Sequence, residues 1–80
     1  MKTVVDQLGE VLQDVFDNED ISATDEMEAA DVEGWDSMGN VRLFLAIEQE
    51  FGVRFSAGEI GAIKNVGELA AAIRRKTGRG

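Results

Sequence analysis

Gly34-Trp35-Asp36-Ser37-Met38 opens the run that decides the fold, and the pattern continues unbroken to Ala46-Ile47-Glu48-Gln49-Glu50-Phe51-Gly52. Asp is a helix-capping type, because its carboxylate accepts from the unpaired N–H groups of a first turn. Gly52 suits the left-handed conformation in which helices commonly end. Together they predict a helix from about Ser37 to Phe51. Steps of ~100° per residue gather Leu43, Phe44, Ile47 and Phe51 on one side, the stripe that a core requires. Met38, Val41 and Leu45 form a second ridge, continuing to Glu48 and turned well away from the first. Arg42, Ala46, Gln49 and Glu50 fill the remaining arc. A helix apolar over this much of its circumference either buries both ridges or keeps one exposed for a partner. The wheel alone is equally consistent with both.

The flanking segments supply further helices. Val4, Val5, Leu8, Val11, Leu12, Val15 and Phe16 recur at three- and four-residue steps between Thr3 and Phe16. Thr3 followed by Asp6 resembles a capping box, with Asp in the usual Glu place. From about 17 to 36 the periodicity disappears into an acidic loop with isolated apolar residues at Ile21, Met27, Val32 and Trp35. A connection of that length in a small domain is more often functional or partly ordered than idle. It is not a calcium loop: counted from Asp17, the fifth and sixth positions are Ile21 and Ser22, where an oxygen ligand and Gly are required. Ser56 with Glu59 is a capping box for a helix of one or two turns carrying Ile60 and Ile63. Asn65 with Glu68 starts a last helix, with Val66, Leu69, Ala70 and Ile73 as its stripe, running to about Lys76. Residues 77–80 are expected to fray. No strand pattern or repeat is present. The expected fold is all-α, a small four-helix bundle of three main helices and one short one, forming a single domain over 1–80.

Composition removes most chemistry. The 80 residues include no Cys, His, Pro or Tyr. Thiol nucleophiles, disulfides, the usual zinc ligand sets and His-dependent catalysis are therefore excluded, and the chain is expected not to be an enzyme. The length is too short for a two-layer α/β enzyme with an enclosed pocket. No run approaches the ~18 apolar residues of a membrane span and no signal-peptide pattern opens the chain, so a cytoplasmic protein without a membrane partner is expected. The net charge of −8 is unevenly placed: residues 1–50 hold 14 acidic side chains against Lys2 and Arg42, whereas residues 51–80 hold Glu59 and Glu68 against six basic ones. Nucleic acid is a poor partner for such a surface, and basic protein surfaces are good ones. Arg74, Arg75 and Lys76 fall where they favour the negative end of the last helix.

With catalytic sets excluded, the residue to look for is one that is acted upon. Ser37 arrives at the first turn of the central helix, where unpaired N–H groups and the positive end of the helix dipole favour an anion esterified to its hydroxyl. Asp36 beside it caps the helix and is placed to help a modifying enzyme hold a metal or orient the serine. Asp-Ser before an apolar run is also among the commonest of helix starts, so the pair alone leaves the matter open.

The wider context is more specific. Gly34-Trp35-Asp36-Ser37-Met38, the continuation to Phe51-Gly52-Val53, the acidic loop before it and the short helix opening at Ser56 closely resemble the acyl carrier protein family, in order and with matching spacings from about Val4 to Ile73. The resemblance implies a four-helix bundle whose serine, here Ser37, receives 4′-phosphopantetheine from coenzyme A through a separate magnesium-dependent phosphopantetheinyl transferase. It implies that acyl or aminoacyl groups ride as thioesters on the arm's own thiol, so the absence of Cys is no obstacle. Loading ligases and downstream transferases or synthases are the implied partners, and a monomer the implied state. Ser37 matches the attachment serine and Asp36 the preceding acid; Met38, Val41, Leu45 and Glu48 match positions that meet partner enzymes, which favours the exposed-ridge reading. Ile60 and Gly61 fall on the short helix that flanks the arm. Trp35, Gly39 and Arg42 depart from carriers of primary fatty-acid synthesis, which usually have Ala and two acids there. They look more like polyketide, aminoacyl, peptidyl or D-alanyl carriers of specialised pathways, and Arg42 inverts the charge at the docking surface. The different-class alternative is an unmodified acidic helical module that binds a basic partner. Phe44, Ile47, Phe51 and Ile63 are equally consistent with an acyl-chain cleft and with a tightly packed core.

Overall fold

Thr3 and Asp6 close the start of the first helix reciprocally. The Thr3 hydroxyl accepts from the Asp6 N–H, and the Asp6 carboxylate from the Thr3 N–H, each at 3.1 Å. In the computed structural model, which describes residues 3–78, this cap opens helix α1, Val4–Val15. A 3₁₀ turn at Ala29–Asp31 interrupts the acidic loop, then follow α2 (Ser37–Phe51), α3 (Ala57–Ala62) and α4 (Val66–Thr77). The described residues contain no strand. Three long helices and one short one were expected, and the bounds of α2 coincide with those read from Asp36 and Gly52, whose φ is +66°.

The apolar stripes meet as their spacing requires. Val4, Leu8 and Leu12 of α1, Leu43, Phe44, Ile47 and Phe51 of α2, and Val66, Leu69 and Ile73 of α4 are buried in one cluster. Helix α1 packs against both α2 and α4, and buried Ala70 and Ala72 keep the α4 side thin. Phe44, Ile47 and Phe51 belong to this core, whereas Ile63 is half-buried and lines a surface groove with Ala62 and Ala72. Helix α3 buries none of its residues completely; Ile60 and Ile63 only lean on the core.

The 17–36 loop is tacked down along its length. Ile21 and Val32 are buried, and the Gln13 side-chain amide donates to the Ile21 carbonyl at 2.8 Å. The carbonyls of Asp25 and Met27 accept from the N–H groups of Gly67 and Val66, both at 2.9 Å, so the loop caps the first turn of α4 alongside Asn65. A side-chain carbon at position 67 would come within 2.9 Å of the Asp25 carbonyl oxygen, which makes glycine the residue that lets the loop lie there. At the other end the expected fraying is corrected. Thr77 belongs to α4, its hydroxyl donates to the Ile73 carbonyl at 2.7 Å, and Gly78 closes the helix in the left-handed region with its N–H on the Arg74 carbonyl. The helix runs on because a backbone-bonded hydroxyl and a glycine cap satisfy its last carbonyls. Residues 79 and 80, the rest of that expected tail, lie outside the described ones.

Glu59 joins α3 to α4. It completes the capping box with Ser56, and its other carboxylate oxygen meets Lys76 Nζ at 2.7 Å, with that ammonium 5.1 Å over the Phe55 ring. The Lys76 hydrogen bond first, and the Ser56 N–H second, hold the Glu59 carboxyl below its ordinary value. A depressed folded-state pKa stabilises the fold above the unfolded-state value, and that stabilisation is lost as pH falls through the depressed one. Lys76→Met is therefore expected to lower the Tm at neutral pH by an amount that shrinks as acid protonates Glu59. Melts of both chains across the acid range check this; a pH-independent difference would assign the effect to the Phe55 contact instead.

Candidate functional site

The chain reverses into α2 at Gly34, whose φ of +92° few other residues adopt. Asp36 then caps the helix, with Oδ1 accepting from the Gly39 N–H at 2.8 Å and its carbonyl from the Asn40 N–H at 2.8 Å. Ser37 is the first helical residue and is exposed, and no hydrogen bond among the described residues engages its hydroxyl. The exposed oxygen thus stands at the positive end of a 15-residue helix. A phosphodiester esterified there would face the first-turn amides, so the local chemistry fits a phosphate-linked prosthetic group.

The turn is braced from beneath. The Trp35 indole N–H donates to Asn40 Oδ1 at 2.9 Å, and its ring stacks on Phe16 with centroids 6.0 Å apart. Gly39 is buried against the Gly34 carbonyl, which occupies the space a side-chain carbon would need; the Phe16 ring edge would lie within 2.9 Å of that carbon. The glycine that stood out in the sequence as a missing acid is thus a packing requirement. Phe16 and Asn40 were not singled out as supports of the site. Phe16 is too distant in sequence to be linked to it by periodicity, and Asn40 carried only the mild signal of an amide five residues after a lone tryptophan.

Of the two readings of the second ridge, the structure selects the exposed one: Met38, Val41 and Leu45 are 76%, 60% and 55% exposed. They climb α2 from the serine at three- and four-residue steps, so hydroxyl and ridge share one end and one side of the helix. The other candidate positions are less free. The Glu48 carboxylate accepts from the Phe55 N–H at 2.9 Å and is half-buried, so it fastens the 52–56 connection. The Arg42 side chain is exposed, with its guanidinium donating to the Val15 carbonyl at the end of α1 at 3.3 Å. Ile60 is half-buried against the core. Ser37, Asp36, Met38, Val41 and Leu45 are brought together, while Glu48 and Ile60 are partly committed to the fold.

Among the described residues no cluster of three or more acidic, His or Cys side chains is arranged to hold a metal, and no helix is long and apolar enough to cross a membrane. What the site presents is an exposed serine hydroxyl at the start of α2.

Comparison with known proteins agrees with this picture. The family model described as phosphopantetheine attachment site matches residues 2–73. Among solved structures, the solution NMR structure of a holo acyl carrier protein from Geobacter metallireducens superposes with a TM-score of 0.86 at 36% sequence identity, covering 95% of this chain and 86% of that one. No curated protein matches the chain.

Proposed function

The chain belongs to the acyl carrier protein family, whose members present substrates without transforming them and bear 4′-phosphopantetheine covalently, and on that premise we propose that Ser37 is the attachment residue. The observation that carries the assignment is the exposed hydroxyl at the start of α2, directly after the capping Asp36 and at the foot of the Met38, Val41, Leu45 ridge. When bound, the arm supplies a terminal thiol on which acyl or aminoacyl groups are held as thioesters. In this reading residues 1–80 are one carrier domain, acting as a monomer in the cytoplasm. Its partners are a phosphopantetheinyl transferase, a loading ligase and downstream transferases or synthases. Met38, Val41 and Leu45 supply apolar docking contact, and Arg42, Glu48 and Ile60 the rim around it.

Incubation with coenzyme A, magnesium and a broad-specificity phosphopantetheinyl transferase is expected to add one phosphopantetheine mass, mapped to Ser37 by fragmentation. A chain left unmodified by several such transferases would be an acidic interaction module instead.

Arg42 places a positive charge beside the ridge, where enzymes that seek an acidic carrier would meet like charge. This supports service to a small, dedicated set of biosynthetic enzymes. The loaded protein is expected to be a poor substrate for a fatty-acid elongation system in direct competition with that system's own carrier, measured as relative kcat/KM. Equal use of both would overturn the specialised assignment.

A further inference from the structure

We infer that Trp35 is a positioning residue for the modification of Ser37, acting through its indole bond to Asn40. The inference rests on the assignment of Ser37 as the attachment site and deepens it. Residues 35 and 40 bracket the serine: the 2.9 Å bond from the indole N–H to Asn40 Oδ1 closes a ring around Asp36, Ser37, Met38 and Gly39. Inside that ring Asp36 bonds Gly39, and beneath it the Gly34 carbonyl and Phe16 ring pack against the bare Gly39 backbone. Stacking on Phe16 ties the tryptophan to the end of α1. Asp36, Ser37 and Met38 are all exposed, and a helix start so exposed is held by its cap alone unless something spans it. Here the clasp spans it.

In the transfer, Ser37 Oγ forms a bond to the phosphorus that carries the pantetheine of coenzyme A. The phosphoanhydride bond breaks, adenosine bisphosphate leaves with the bond's electrons, and the hydroxyl proton passes to a base of the transferase. The oxygen must approach that phosphorus in line with the leaving group, so a turn already ordered spares the enzyme the ordering of three exposed residues. If only a fraction of the chains holds the competent turn, the apparent affinity for the transferase falls by that fraction. Phenylalanine at 35 would keep the stack on Phe16 and lose the donor; alanine at 40 would keep the indole and lose the acceptor.

The test compares W35F, N40A and the double variant as substrates of one transferase with coenzyme A and magnesium, alongside hydrogen exchange of the Gly39 amide, which is buried and bonded to Asp36 Oδ1 inside the ring. One part-buried hydrogen bond is expected to raise the KM for the carrier by about three- to tenfold in either single variant, with kcat at saturating carrier unchanged. The double variant is expected to be no worse than either single one, and Gly39 amide exchange to quicken in all three. The chain has one tryptophan, so in N40A the shift of the single indole N–H resonance reports that the bond is broken, and in W35F the donor itself is gone. A core variant, Ile73→Val, with a similar loss of Tm is expected to leave the KM unchanged, separating positioning from mere destabilisation. An unchanged KM in W35F and N40A with the bond broken, additive effects in the double variant, or a KM that follows Tm in Ile73→Val would overturn the inference. Failure of the attachment assignment looks different: the wild-type chain then gains no mass, or gains it at another residue.

Discussion

Ser37→Ala is expected to fold as the wild-type chain does and to take up no prosthetic arm. The side chain is exposed and its hydroxyl serves no bond within the described residues, so removing it leaves no buried group unsatisfied. Substitutions of that kind change stability by less than about 0.5 kcal/mol. Alanine also suits the first turn of a helix. The chemical effect is total, because the phosphodiester needs an oxygen nucleophile and a methyl group has none. Intact mass after prolonged incubation with coenzyme A, magnesium and transferase reads the first expectation, and a thermal melt of the same sample reads the second. Mass gain in the variant would move the attachment elsewhere and detach function from the α2 turn. Loss of the fold would show that the hydroxyl is structural, contrary to its exposure.

Leu43→Ala is expected to remove most of the stability. Its side chain is 0% exposed and packs in the cluster with Leu8, Leu12, Ile47, Leu69 and Ile73. Losing buried methyl groups and leaving a partly collapsed cavity costs ~2–5 kcal/mol. Small domains hold only ~5–15 kcal/mol in total, and one of this size lies toward the lower end. Urea unfolding of the two chains gives the difference directly from the midpoints. Leu45, two positions on and 55% exposed, supplies the contrast. Leu45→Ala should shift the midpoint little and instead weaken encounters with partner enzymes. Equal destabilisation at both positions would mean that the second ridge is buried, and the docking surface proposed above would disappear with it.

Local chemistry made the architecture readable. Thr3, Asp36, Ser56 and Asn65 each accept from the N–H three residues on, as capping types do, and Gly52 takes the positive φ that ends α2. These interactions close within one helical turn, so spacing alone reveals them. The candidate serine was legible for the same reason: its place at a helix start follows from its neighbours. The fate of Glu48 was not. On the wheel it extends the apolar ridge, but a fold that brings Phe55 back along α2 turns its carboxylate to the Phe55 N–H.

The amino-acid sequence by itself determined that this chain is a small all-α bundle with a serine at the head of its second helix, because caps, stripes and breakers act between residues a few positions apart. Only the tertiary structure decided whether the Met38, Val41 and Leu45 ridge of α2 is buried or left exposed, how the acidic loop comes to cap α4 through Asp25 and Met27, and why glycines stand at 39 and 67. Those outcomes depend on which distant backbone arrives at a given surface, and close packing leaves room for a carbonyl or for a side-chain carbon there, not for both.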